Sequence, residues 1–64
     1  MQVVARVFKG HRIQIGGSVF DVLGSRQIRG NYFYILRAKS GEKRSIRRAD
    51  VIEGQKSGEV RVTA

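Results

Sequence analysis

Valine and isoleucine dominate the apolar residues of this 64-residue chain, and that preference constrains its fold more than any other feature. Valine occurs eight times, isoleucine six times and leucine only twice. Branching at Cβ restricts χ1, which costs little on a pleated strand and more in a helix. Eight glycines offer turns, and the absence of proline leaves strand ladders unbroken. No stretch repeats apolar residues at helical spacing for three turns, so we expect an all-β fold with essentially no α-helix.

Glycines divide the chain into five or six short strands. The predicted strands are Gln2–Lys9, His11–Ile15, Ser18–Leu23, Asn31–Lys39, Glu42–Arg48 and Glu59–Thr63. Residues 25–29 form either a further strand or a loop. Gly16-Gly17 is a hairpin signal because both residues accept positive φ, and Gly30-Asn31 is a second predicted turn. We expect one 3₁₀ turn over 49–51 and a polar turn over 55–58.

So few strands cannot form two well-filled sheets. We therefore expect residues 1–64 to form a single domain, a strongly bent antiparallel sheet that closes into a small barrel, because closure removes exposed edges. On the strand Asn31–Lys39, Tyr34 and Leu36 share one face while Phe33 and Ile35 share the other, and both faces begin apolar. The predicted interior residues are Val3 or Val4, Val7, Ile13, Ile15, Phe20, Val22, Ile28, Phe33, Ile35, Ile46, Val51 and Val60.

Composition excludes several classes of function. The chain has no cysteine and one histidine, so we expect no disulfide, metal site or cofactor. Its five acidic residues are scattered and suggest no acid/base pair, so we expect no enzyme. No apolar run approaches the roughly 20 residues that span a bilayer, and no signal peptide follows Met1. We therefore expect a cytoplasmic protein without a membrane partner.

The excess of positive charge is local. Residues 25–48 carry eight basic residues and one acidic residue, a net charge of +7, whereas residues 49–64 have a net charge of −1. Nine of the thirteen basic residues are arginine, whose planar fork suits phosphates and guanine edges and whose plane stacks on bases. Aromatic residues interleave with this charge, a combination that is typical of nucleic-acid binding.

The sequence thus predicts a basic nucleic-acid-binding protein of weak sequence specificity, and leaves open whether the ligand is DNA or RNA, single or double strand. The predicted phosphate contacts are Arg26, Arg29, Lys39, Lys43, Arg44, Arg47 and Arg48. The residues predicted to stack on bases or enter a groove are Tyr32, Tyr34 and Arg37.

Two alternatives stay open. The basic residues could simply be a solvated surface, with Arg47 and Arg48 paired to Asp50 and Glu53. The doubly apolar strand that begins at Asn31 could instead add to a partner's sheet edge, which would make the chain a protein-interaction module or a phage or mobile-element inhibitor of a host enzyme. That partner would present an acidic surface. A homodimer is a further expectation, because a short chain gains stability by burying a strand edge.

The stretch GNYFYILRAKSGEKRSIRRADVIEG, residues 30–54, resembles the ends of SH3-like barrels of the KOW/Tudor type and of retroviral integrase C-terminal domains. In that fold a long hairpin is followed by a basic strand, a 3₁₀ turn and a closing strand. The segment from Arg47 to Val51 falls where the basic strand meets the 3₁₀ turn. Many members of these groups bind nucleic acid, so the resemblance implies the same here.

A second stretch, GHRIQIGGSVFDVLG at residues 10–24 followed by Arg29-Gly30-Asn31, is similar to the carbon storage regulator family. Members are dimeric RNA binders with interleaved five-stranded subunits. Arg6 and Arg47 or Arg48 are nearest to the positions through which that family contacts RNA. The chain lacks the family's Ala-Pro segment before the last strand and adds the tail Glu59–Thr63.

Overall fold

A computed structural model of the protein describes residues 3 and 6–63, and within them the chain forms one five-stranded antiparallel sheet and one helix. The elements are β1 (Arg12–Ile15), β2 (Ser18–Ile28), β3 (Asn31–Ala38), β4 (Lys43–Arg47), α1 (Arg48–Ser57) and β5 (Val60–Thr63). The strand order is β4-β3-β2-β1-β5. This confirms a mostly β, antiparallel chain of five strands. It corrects the expectation of a closed barrel, because β4 and β5 are the two edges of an open sheet.

Tight turns set the register of the two central hairpins. Gly16 has φ 59° and Gly17 does not have positive φ, which meets the requirement of a type II′ turn between β1 and β2. Between β2 and β3 the turn residues are Arg29 and Gly30, with φ 50° and 81°, as a type I′ turn demands. The turn had been predicted at Gly30-Asn31. It lies one residue earlier in the chain, because Asn31 is already the first residue of β3.

A β-bulge in β2 decides which side chains reach the core. The pairing shifts between Val22 and Gly24, which leaves Leu23 as an extra residue. One inserted residue exchanges the two faces of the rest of the strand. Phe20 and Val22 face the core before the bulge, whereas Ile28 lies beyond it and is 46% exposed. The prediction that Ile28 is interior was wrong for this reason.

The core lies on one face of the sheet. Its buried apolar residues are Val7, Ile13, Phe20, Val22, Tyr34, Leu36, Val51 and Val60, and Ile15, Ala38, Ile46 and Val62 pack against them in part. On β3, therefore, the core face carries Tyr34 and Leu36. The predicted interior positions Phe33 and Ile35 are only half-buried and occupy the opposite face.

Residues 48–57 form a helix where we predicted a 3₁₀ turn followed by a polar turn. Val51 and Gln55, one turn apart, are its buried residues. Gly54 lies directly against Val60 of β5, with no room for a side chain. Gly58 ends the helix in the left-handed conformation, with φ 87°. The helix connects β4 to β5, the two edge strands that would pair with each other in a closed barrel.

Residues 6–9 precede β1 and do not join the sheet, whereas Gly10 and His11 already exchange backbone hydrogen bonds with Val22 of β2. Residues 3 and 6–9 are not in a strand, so the strand predicted over Gln2–Lys9 was wrong there, and residues 1, 2, 4 and 5, including the candidate core residue Val4, lie outside the described residues. Val3 is half-buried. Val7 is buried, and its backbone N–H donates to the hydroxyl of Tyr34 at 3.3 Å. Over the described ranges, no helix has the length and apolar character needed to cross a bilayer.

Candidate functional site

The face of the sheet opposite the core, here called the outer face, carries side chains in three rows across β2, β3 and β4. Directly paired residues of antiparallel strands point to the same face, so the register defines each row. The rows are Arg26–Phe33–Arg47, Gly24–Ile35–Ser45 and Asp21–Arg37–Lys43. An aromatic ring thus lies between two arginines, and a second cationic pair lies two rows away, about 13 Å along the strand.

Positive charge predominates on the outer face. Among the described residues, Arg26, Arg37 and Lys43 take part in no ion pair. Arg47 does pair with Asp50, with Nε 3.1 Å from Oδ2, and Arg12 pairs with Asp21 at 3.4 Å. These pairs are solvent-exposed and weak, so a polyanion can compete for their arginines.

Two further predicted cations lie at the ends of the β2–β4 sheet. Arg29 is in the β2–β3 turn and Lys39 in the β3–β4 loop, and both side chains are exposed. They extend the positive surface beyond both ends of β3. The structure thus groups six of the ten predicted site residues on or beside the outer face: Arg26, Arg29, Arg37, Lys39, Lys43 and Arg47.

Three predicted residues lie on the core side of the sheet instead. The guanidinium carbon of Arg44 is 5.9 Å from the centre of the Phe20 ring, and its Nε donates to Glu42 Oε1 at 2.9 Å. Arg48 begins α1, and its guanidinium carbon is 5.9 Å from the centre of the Tyr32 ring. Tyr32 is 39% exposed. These side chains are accessible, but they do not share a face with the six.

Tyr34 does not suit the role predicted for it. The side chain is 2% exposed and lies among the buried apolar residues of the core. A ring in that position cannot stack on a base. The aromatic residue of the outer face is Phe33, which sequence reasoning had assigned to the interior. Its cross-strand neighbours on both sides are arginines. If the strand register had been known, these two neighbours would have predicted that Phe33 lies on the outer face.

The proposed interaction through β3 as an added strand meets a geometric obstacle. β3 pairs with β2 on one side and β4 on the other, so it has no edge to offer a partner's sheet. The edges belong to β4 and β5. β4 carries Lys43, Arg44 and Arg47, and such charge on an edge disfavours strand addition.

Neither a metal-binding group in the described part of the chain nor a match to a known protein identifies the function of this surface. Across the part of the chain that the structure describes, no three His, Cys, Asp or Glu residues come together as a metal-binding group would require. Comparison of the chain with protein-family models, curated proteins and solved structures finds no match. The resemblances to SH3-like barrels and to the carbon storage regulator family therefore stay predictions.

Proposed function

We propose that the protein binds nucleic acid through the outer face of β2, β3 and β4. The observation that carries this proposal is the row Arg26–Phe33–Arg47, in which register places one aromatic ring between two arginines. Arginine contacts phosphates through charge-assisted hydrogen bonds, and an aromatic ring on a sheet offers a platform on which an unpaired base can stack.

Charge distribution supports the same ligand. Within residues 25–48 the net charge is +7, and cations without an ion pair in the described part of the chain lie on the outer face and in the turns at both of its ends. A surface that only maintained solubility would mix charges of both signs. A long, flexible polyanion can follow such a surface, and neutralising its phosphates releases counterions, which favours binding at low salt.

Sequence specificity is expected to be weak. The outer face offers side chains of a sheet, and α1 contributes Val51 and Gln55 to the interior of the protein. Reading base edges in a duplex usually requires an element that enters the major groove. Phosphate contacts and stacking, by contrast, are available with every sequence.

The test is an equilibrium binding measurement by fluorescence anisotropy with a labelled 20-nucleotide single strand. The variant R26Q/R37Q/K43Q removes three outer-face cations that form no ion pair with any residue the structure describes. We expect it to bind on the order of 100-fold more weakly, since each of the three lost charge-assisted contacts contributes on the order of 1 kcal/mol.

A matched control removes the same charge elsewhere. K9Q/K56Q/R61Q has the same net charge, but these residues lie before β1, in α1 and on the far edge strand β5. We expect it to weaken binding far less than R26Q/R37Q/K43Q does, because cations away from the ligand act only through salt-screened long-range attraction. Equal weakening by both variants would contradict the proposed face. No binding by the unaltered protein, together with recovery of a protein partner from nuclease-treated lysate, would favour the interaction module instead.

A further inference from the structure

A shallow pocket of about 200 Å³ lies on the core side of the β2–β3 hairpin, on the opposite side of β3 from Phe33. It opens between the segment before β1 and the start of α1. Its lining residues are Arg6, Val7, Phe8, Tyr32, Tyr34 and Arg48. Among the described residues, the lining thus combines two guanidinium groups with aromatic rings and includes no carboxylate.

The aromatic wall on β3 is held in place. The hydroxyl of Tyr32 donates to Ser25 Oγ at 2.8 Å, and its ring meets the ring of Tyr34 edge to face, with centres 5.6 Å apart and an angle of 73°. The guanidinium of Arg48 lies 5.9 Å from the Tyr32 ring centre. A planar ligand would therefore meet a platform whose position is already set by its neighbours.

The opposite wall is held as well. The backbone N–H of Phe8 donates to His11 Nδ1 at 2.9 Å, and the two rings meet edge to face at 5.8 Å. The Val7 N–H donates to the hydroxyl of Tyr34, which ties this segment to β3. Phe8 is 62% exposed, so its ring is accessible to a ligand that enters the pocket.

The dimensions and chemistry limit what can enter. Pockets for drug-sized ligands have volumes of roughly 300–1,000 Å³, so a pocket of about 200 Å³ fits one ring system. Arginine binds phosphate, and its plane also stacks on a base, as do the exposed rings. One nucleobase and its adjacent phosphate satisfy all of these groups at once.

We infer that this pocket takes one unstacked base of a single-stranded nucleic acid, with the neighbouring phosphate between Arg6 and Arg48. The inference rests on the proposed function, because the outer face would hold the rest of the strand. Arg47 on the outer face and Arg48 at the pocket are consecutive residues at the edge of the sheet, so a strand crossing that edge would reach both. A base in a duplex is stacked and paired, and extruding it costs a few kcal/mol. The protein should consequently prefer single strands to duplexes.

The experiment compares three ligands of one sequence: single-stranded DNA, single-stranded RNA and the DNA duplex. The variant R6Q/F8A alters two exposed pocket residues that contribute nothing to the buried core. Because base–aromatic stacking has a large effect on single-strand affinity, we expect about tenfold weaker binding of at least one single strand. Duplex affinity should change less than twofold. The control R61Q/V19A changes one exposed arginine and one exposed valine away from the pocket, and should leave all three affinities unchanged.

A second variant separates stacking from chain packing. F8L keeps an apolar side chain at the wall but removes the aromatic ring, so it should also weaken single-strand binding selectively. Duplex preference by the unaltered protein, equal weakening of all three ligands, or no effect of either pocket variant on single strands would overturn the inference. In those outcomes binding would still respond to R26Q/R37Q/K43Q, whereas loss of the proposed function itself would show as no binding to any ligand.

Discussion

Tyr34 joins three parts of the molecule. Its ring lies in the core at 2% exposure, its edge meets Tyr32, and its hydroxyl accepts the N–H of Val7 at 3.3 Å. This hydrogen bond gives the hydroxyl a polar partner beside an apolar core. It also connects the segment before β1 to β3. Buried tyrosine hydroxyls usually have such a partner.

Replacing Tyr34 with phenylalanine tests that role. The variant removes the acceptor and leaves the buried Val7 N–H unpaired, so the free energy of unfolding should fall by about 1 kcal/mol in urea denaturation. Tyr32→Phe deletes the same atom from an exposed hydroxyl bonded to Ser25 and should change stability by less than about 0.5 kcal/mol. Equal effects of the two variants would show that the Tyr34 hydroxyl does not fasten the segment.

At the scale of the elements, the packing of α1 on β5 depends on one close contact, which is made at Gly54. A Cβ atom on Gly54 would lie 2.9 Å from Cβ of Val60 and still closer to its Cγ2. Valine is branched and short, so the neighbour cannot move aside without shifting the backbone of β5.

Gly54→Ala should therefore destabilise the fold although alanine favours a helix. Overpacking costs roughly 1–3 kcal/mol, and the propensity gain is about 1 kcal/mol, which leaves a net loss of up to about 2 kcal/mol in thermal or urea unfolding. In a Val60→Ala background the obstructing methyl groups are absent. There Gly54→Ala should be neutral or stabilising, and an equal loss in both backgrounds would contradict the packing account.

The turn of the β2–β3 hairpin contains an arginine in a backbone conformation that is unfavourable for that residue type. Arg29 has φ 50°, a value that asparagine and glycine tolerate better, and Asn-Gly is the preferred pair for a type I′ turn. Its exposed charge at the end of the outer face gives a reason for that choice.

Arg29→Asn should consequently have opposite effects on stability and binding. Relief of the positive φ should raise the free energy of unfolding by about 1 kcal/mol, measured by urea denaturation. Loss of one phosphate contact should weaken oligonucleotide binding several-fold in the anisotropy assay. Lys39→Asn serves as the partner variant, since it removes a cation without the turn strain. A gain in stability with unchanged affinity would exclude Arg29 from the interface.

The elements also differ in how well the sequence predicted them. Val and Ile alternation and the Gly16-Gly17 signal predicted β1, the first half of β2 (residues 18–23) and their turn, because strand faces and tight turns depend on local chemistry. The continuation of β2 to Ile28 had been left open as a strand or a loop. The helix was missed because its buried face is Val51 and Gln55, one apolar and one polar residue, and its N-cap Arg47 makes no capping side-chain bond.

The candidate site was predicted as a set of charges but not as a face. Phe33 and Tyr34 are adjacent aromatic residues, and only the partners across β2 and β4 decide which one is buried. The bulge at Leu23 is equally invisible locally, and it turns Arg26 outward while Ser25 pairs with Tyr34. Register therefore determines which cations share a surface.

At the scale of the whole molecule, charge and topology divide the protein in two. The net charge of +7 within residues 25–48 lies on β2–β4, their turns and Arg48, the first residue of α1, whereas residues 49–64, with a net charge of −1, form the rest of α1 and β5. Both edge strands are short, and basic residues of β4 disfavour edge-to-edge pairing. A homodimer stays a prediction, and sedimentation at two concentrations tests it.

Salt dependence of binding tests the central claim most directly, because it counts phosphate contacts. The measurement is the association constant of the unaltered protein and of R26Q/R37Q/K43Q for a single strand, from low to moderate salt. If about five phosphates are contacted, log K should fall with log salt at a slope of roughly −3 to −4, and the variant's slope should be shallower by about 2. Identical slopes for the two proteins, or affinity independent of salt, would contradict binding through the outer face.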